Sequence, residues 1–300
     1  MSRHNDLIEV LGKNTILCSN LGFGEQGSIL SKLSKGIYIC PDIDKARHMK
    51  SQLDALSCNN VLIDDFSKPF TLSKFQSNEN KIDLLKTIYK LCFSNPIIIS
   101  TVDILFSFLP NLNTFKTNVL NFQKGDEYSI EEIERKLISI GYKKVEGVTS
   151  CGEFSRRGDI LDIYNVIDEH PIRLDFFDTS LDNIFAFDFL TFEKKNVLQK
   201  AEIVPNKIFM LDNIEKENII EQLNLLKTES PIVFDILNAF DRDDDIPLEF
   251  LYPFSTNIST FSNLNYPIII SNPIQFETLY KCCCTFPWFR WRSAFCCSCS

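Results

Sequence analysis

The sequence predicts an α/β protein in which a small α+β unit, residues 124–209, lies between two α/β stretches, 1–123 and 210–280. Three observations predict it. Short β-branched runs such as "NPIIIS" and "YPIIIS" have the composition of strands buried on both faces. Around them, apolar residues recur at every third or fourth place, so strands alternate with helices, the pattern of a parallel sheet covered on both sides. From residue 124 the pattern changes to one amphipathic helix followed by period-2 segments, which suggests an antiparallel sheet.

In chain order, "NTILCSN" is the first strand. A Gly-rich turn follows, then a helix, "GSILSKLSK", closed by Gly36. "GIYICPD" and "NVLIDD" are strands, separated by the helix "IDKARHMKSQLDAL". "NENKIDLLKTIYKLCF" is a helix, and "NPIIISTVDILFSFLP" opens as a strand. In "YSIEEIERKLISIGYKK", Ser129 and Glu132 have capping-box spacing, Ile130, Ile133, Leu137 and Ile140 form one stripe, and Gly141 ends the helix. "KKVEGV", "GDILDIY", "PIRLDFFD" and "NIFAFDF" are the period-2 strands. "NIEKENIIEQLNLLK" is a helix, and "PIVFDIL" and "YPIIISNP" read as strands. Residues 281–300 hold six of the eleven Cys and both Trp, with no helical or strand period. They are expected to be a non-native or disordered tail.

Composition narrows the function classes. The net charge is −9, and residues 124–207 hold 12 Lys+Arg against 17 Asp+Glu. A nucleic-acid-coating protein needs a basic face instead. The polar N-terminus, "MSRHNDLIEVLGKN", lacks a secretory core, and the longest apolar runs are too short to span a bilayer. A cytoplasmic protein with no membrane contact is expected. Cys18, Cys40, Cys58, Cys92 and Cys151 are scattered as reduced core thiols are. The tail cysteines lack the paired spacing of a zinc site. "DRDDD", 241–245, lacks alternating calcium-ligand spacing and reads as a solvated loop. No metal and no cofactor are expected.

"GFGEQGSI" tests for a phosphate loop. Gly22 and Gly27 match G-x-x-x-x-G-K-[ST], but Ser28 stands where the Lys would meet phosphate and Ile29 where the hydroxyl would bind Mg²⁺. The loop is read as a turn that binds nothing.

The segment "SCGEFSRRGDILDIYN", 150–165, carries two adjacent arginines. In "PIRLDFFD", Ile172, Leu174 and Phe176 alternate onto one strand face, and Arg173, Asp175 and Phe177 onto the other. If the first set is core, Phe177 stands exposed beside an arginine, the composition of a protein–protein hot spot. A cross-strand pair that only stiffens the sheet fits the same pattern. Arg156 and Arg157 could reach that same side. No Ser–His, Cys–His or paired-carboxylate arrangement accompanies them, so catalysis is poorly supported.

"GYKKVEGVTSCGEFSRRGDILDIY" followed by "PIRLDFFDTSLDNIFAFD" resembles the signature of the bacterial transcription-repair coupling factors, over about residues 1–280. UvrB carries the same module with a motif closer to G-T-F-x-V-R-G-D. "RGD" leans toward UvrB, whereas "GEF" and "GYKKVEGV" lean toward the coupling factors, and the empty phosphate loop favours the latter. The resemblance implies a split parallel-sheet α/β domain, a degenerate UvrB-like or helicase-like domain, with an inserted α+β domain that binds UvrA and brings excision repair to stalled RNA polymerase. Carried over residue by residue, it assigns UvrA binding to Arg157, Arg173 and Phe177, with Arg156 a neighbour of no fixed role. It places RNA polymerase and DNA contacts in domains that nothing after residue 280 resembles, so a truncated or frameshifted product is expected. The rival reading is an ATP-dependent repair enzyme of the UvrB or helicase class. That enzyme needs Lys at position 28, and Ser stands there.

Overall fold

The computed structural model describes residues 15–17, 21–63, 78–208, 210–211, 213–226, 231–242, 251, 254–255, 258–261 and 264–285. Along the chain run β1 (Thr15–Leu17), α1 (Phe23–Leu30), β2 (Gly36–Ile39), α2 (Ile43–Ala55), β3 (Asn60–Leu62), α3 (Asn78–Phe93), β4 (Ile97–Ser100), β5 (Phe108–Pro110), α4 (Leu112–Thr117) and β6 (Leu120–Gln123). The middle of the chain contributes α5 (Ile130–Ser139), β7 (Lys143–Lys144), β8 (Glu153–Arg157), β9 (Ile160–Ile163), β10 (Ile172–Phe177), β11 (Ser180–Phe187), β12 (Lys194–Leu198) and β13 (Lys200–Ile203). After it come α6 (Asn213–Leu226), α7 (Pro231–Asp241), β14 (Ile258–Thr260), β15 (Ile268–Ile270) and α8 (Pro273–Thr285).

The fold is α/β. Its five-stranded sheet has the order β1-β15-β2-β4-β3, and every pairing is parallel. The late strand β15 therefore lies between the first two strands of the chain. Both faces are covered, as a parallel sheet requires. Ile37, Ile39, Ile98, Ile268 and Ile270 pack on one side with Leu91 of α3 and Phe276 of α8. Tyr38, Ile97, Ile99 and Ile269 pack on the other with α1 and α2.

The unit in between is a six-stranded sheet, β12-β11-β10-β9-β8-β7, antiparallel except where β7 runs parallel to β8. Helix α5 covers its inner face through Ile130, Ile133, Leu137 and the following Ile140, which pack with Phe154, Leu161, Leu174 and Phe176. At the start of α5 the Ser129 hydroxyl accepts the Glu132 N–H at 3.3 Å and donates to the Glu131 carboxylate. At its end, Gly141 lies at φ +94°, and the Gly141 and Tyr142 N–H groups donate to Ile138 and Leu137 carbonyls, the bonds that close a helix on a left-handed residue. A Cβ at Gly141 would also meet Asn206 backbone at 3.2 Å, so glycine is required there twice over. The pair β6–β13 joins the start and end of this unit. Val166 and Val204 reach out of it to pack with Leu85 and Ile88 of α3 and with Ile219 and Leu223 of α6.

Four sequence expectations are corrected. "PIVFDIL" is helix α7, not a strand: its buried residues Val233, Ile236, Ala239 and Phe240 follow helical spacing, and Pro231 takes the first helical position, where its missing N–H costs nothing. The helix assigned to 27–35 instead spans Phe23–Leu30, and Gly36 opens β2 rather than closing a helix. There a Cβ would come within 2.9 Å of the Ile269 side chain. "KKVEGV" keeps only Lys143–Lys144 as strand. Helix α8 runs to Thr285, through Cys282–Cys284, so helical backbone enters the Cys-rich segment. Residues 286–300, and the "DRDDD" stretch beyond Arg242, lie outside the described residues.

Cys40, Cys58, Cys92 and Cys151 are free thiols. Burial pushes the Cys40 thiol up to about 12 and that of Cys92 to about 11, so neither is a ready nucleophile. No helix among the described residues is long and apolar enough to cross a membrane. No group of three His, Cys, Asp or Glu among them is arranged to hold a metal ion.

Candidate partner-binding face

The phosphate-loop candidates sit in a helix, not a loop. Gly22 is the residue before α1, and Gly27, Ser28 and Ile29 lie within it. A helix start attracts anions because its N–H groups are unsatisfied. Here the chain supplies its own: the Glu25 carboxylate accepts the Gly22 N–H at 2.7 Å. Gly27 is buried against Gln52 of α2, where a Cβ would overlap that side chain. Ser28 donates to the Gly24 carbonyl at 3.0 Å. Gly27 serves helix packing, and Gly22 is the residue on which the helix starts. Titration calorimetry with Mg-ATP is expected to show no binding, because a phosphate would meet the Glu25 carboxylate and no lysine. Heat of micromolar binding would restore a nucleotide site at α1.

The arginine-bearing strands form an open sheet face. Hairpin β8–β9 turns on Gly158 and Asp159, with Arg157 paired to Ile160. Gly158 lies at φ +61°, the backbone a two-residue hairpin turn requires and glycine tolerates. Hairpin β10–β11 turns on Asp178 and Thr179, with Phe177 paired to Ser180. Strands β8 and β10 both run toward this end of the sheet, so Arg157 and Phe177 occupy the last outward position of each. One strand separates them, and Arg157 is level with Asp175, two residues short of Phe177, which gives a spacing of about 12 Å.

Alternation decides which side chains face out. On β10, Ile172, Leu174 and Phe176 are buried, whereas Phe177 is 81% exposed. A single row crosses the outer face in register: Ser155, Asp162, Arg173, Phe185 and Val197. Arg173 grips Asp162 with two bonds, Nε to Oδ1 at 2.6 Å and Nη2 to Oδ2 at 2.8 Å. Its guanidinium carbon lies 4.8 Å from the centre of the Phe187 ring and 5.9 Å from that of Phe185. Arg157 approaches the same carboxylate, Nη2 to Oδ2 at 3.7 Å. The Asp162 side chain is only 2% exposed, that of Arg173 22%, and that of Arg157 56%.

The structure therefore brings Arg157 and Arg173 onto one buried carboxylate and leaves Phe177 exposed nearby on the same face. Sequence reading missed Asp162. Its signal was present, because in "GDILDIY" it falls on the strand face opposite Leu161 and Ile163. Nothing in one strand says which residue of the next lies across from it.

Arg156 is corrected on two counts. It does not share a side with Arg157, because adjacent strand residues point to opposite faces. It also has a defined place: it binds Glu131 at 2.8 Å and Glu134 at 3.0 Å, and its Nε donates to the Gly158 carbonyl, tying α5 to the end of β8. Burial works to raise the Glu134 carboxyl, but Lys144, at 2.6 Å, and Arg156 hold it below the ordinary carboxylate range.

Residues 120–209, which contain this face, match the family model described as "UvrB interaction domain". Among curated relatives, the transcription-repair-coupling factor of Bacillus subtilis (strain 168) is 30% identical over 129 residues, 43% of this chain and 11% of that protein. That of Borreliella burgdorferi is 28% identical over 215 residues, 66% of this chain and 19% of that protein. That of Staphylococcus aureus (strain bovine RF122 / ET3-1) is 32% identical over 119 residues, 40% of this chain and 10% of that protein. The chain thus spans between about a tenth and a fifth of the length of these relatives. The open face lies on a segment that matches the UvrB interaction domain, in a chain similar to the transcription-repair-coupling factors.

Proposed function

We propose that this chain is a docking module for the excision-repair protein UvrA, acting in transcription-coupled repair, and that Arg157, Arg173 and Phe177 form the contact. One observation carries the reading: the segment that matches the UvrB interaction domain presents two arginines and an aromatic on one open sheet face. Exposed Arg and aromatic side chains are the residues that dominate binding energy in protein interfaces. In this role, the unit at 124–209 does the docking. The α/β stretches at 1–123 and 210–280 form the base that holds it, and delivery of UvrA to stalled RNA polymerase is the consequence.

Titration of the chain with purified UvrA tests this. Arg157→Ala and Phe177→Ala are each expected to weaken binding by roughly 30- to 1,000-fold, the range of hot-spot truncations. Their melting curves are expected to stay near the parent's. Undiminished binding by both variants would move the contact elsewhere on the molecule.

A further inference from the structure

We infer that Asp162 is a positioning residue of this face: its buried carboxylate holds Arg173 in one orientation and sets the resting place of Arg157, so that a partner's carboxylate engages two coupled cations. The inference rests on the docking role proposed for the face.

The two arginines are held very differently. Asp162 takes the Nε proton and one Nη2 proton of Arg173 in a fork-to-fork geometry that fixes the guanidinium plane. The ring of Phe187 backs that plane. The two protons of Nη1 point away from the Asp162 contact and remain for a partner. Arg157 instead approaches one oxygen at 3.7 Å, an ion pair too long for a hydrogen bond. On a half-exposed side chain such a contact is weak and screened by salt. A partner carboxylate can therefore draw Arg157 off Asp162 while Arg173 stays anchored.

The burial of Asp162 supports a role beyond stability. Taking a carboxylate out of water is costly, and a buried ion pair is often no better than apolar residues of the same volume. What the pair supplies here is orientation. A preorganised cation loses less side-chain freedom when a partner binds. Once a partner covers the face, the Arg173–Asp162 pair and the new pair between Arg157 and the partner's carboxylate lie in a drier setting and strengthen together.

Binding of UvrA to the full chain, its Asp162→Asn variant, Arg157→Ala and the double variant provides the test. Asp162→Asn keeps the shape and removes the charge. It is expected to weaken binding about tenfold to a hundredfold, within the coupling seen between residues of one ion-pair network. Because it acts through the arginines, its loss is expected not to add to that of Arg157→Ala. The Arg173 Nε–H signal in nitrogen NMR, slowed in exchange by Asp162, is expected to broaden in the variant. Should Asp162→Asn fail to fold, Asp162→Glu keeps the charge and displaces it by one methylene, and weakened binding is again expected. Wild-type affinity in whichever of these variants folds, beside a weakened Arg157→Ala, overturns the positioning role and leaves the docking role standing. No binding of UvrA by the wild-type chain overturns both.

Discussion

Phe176→Ala is expected to cost about 3–5 kcal/mol of stability, whereas Phe177→Ala, one residue away, is expected to change it by less than about 0.5 kcal/mol. Phe176 is buried among Tyr128, Leu174, Leu181 and the stripe of α5, so its loss leaves a cavity that a packed sheet-on-helix core fills poorly. Phe177 stands in solvent at the end of β10, and its removal uncovers nothing. A register irregularity between Asp175 and Phe176 sits just before this pair, and the two residues keep opposite faces, Phe176 buried and Phe177 exposed. Urea melts of the two variants decide it. If Phe177→Ala unfolds the unit and Phe176→Ala does not, the face described as open is core, and the docking proposal falls with it.

Arg173→Ala is expected to be strongly destabilising, by about 3 kcal/mol, in contrast to Arg157→Ala. Removing one member of a buried, hydrogen-bonded ion pair strands the other, a change that typically costs about 3–5 kcal/mol. The lower end applies because Arg173 itself is partly exposed. Asp162 would be left with Arg157 alone, at 3.7 Å. Arg157→Ala leaves the bidentate grip of Arg173 in place and is expected to shift stability by less than about 0.5 kcal/mol. Denaturant melts read both. A loss below about 0.5 kcal/mol for Arg173→Ala would mean that water reaches Asp162 once the guanidinium is gone. The same reasoning makes Arg157 and Phe177 the cleaner reporters of partner binding, since a loss of binding by Arg173→Ala mixes contact with fold.

Much of the protein was legible in its sequence because the relevant signals are local. The stripe of α5 and its closing Gly141 are set by spacing along the chain, and the structure shows the helix, the stripe and the left-handed glycine. Period-2 alternation in "PIRLDFF" was enough to separate Phe176 from Phe177. The β-branched runs at 97–100 and 268–270 were readable as strands, since burial on both faces leaves no polar alternation.

The misses have physical causes as well. "PIVFDIL" is an apolar run short enough to suit either state, and its packing against α6 makes it a helix. The glycines at 22 and 27 suggested a loop because glycine is usually read as a turn, whereas Gly27 is small so that α1 and α2 can approach. Arg156 looked idle because its partners, Glu131 and Glu134, lie more than twenty residues away.

The sequence alone therefore determined the fold class, the core stripe of α5 and the outward side of β10, all of which follow from backbone periods a single strand or helix carries within itself. Only the tertiary structure decided that Arg157 and Arg173 meet over one buried Asp162, because register between strands is a relation between distant segments. That relation is set by the hairpin turns at 158–159 and 178–179 and by the core beneath the sheet.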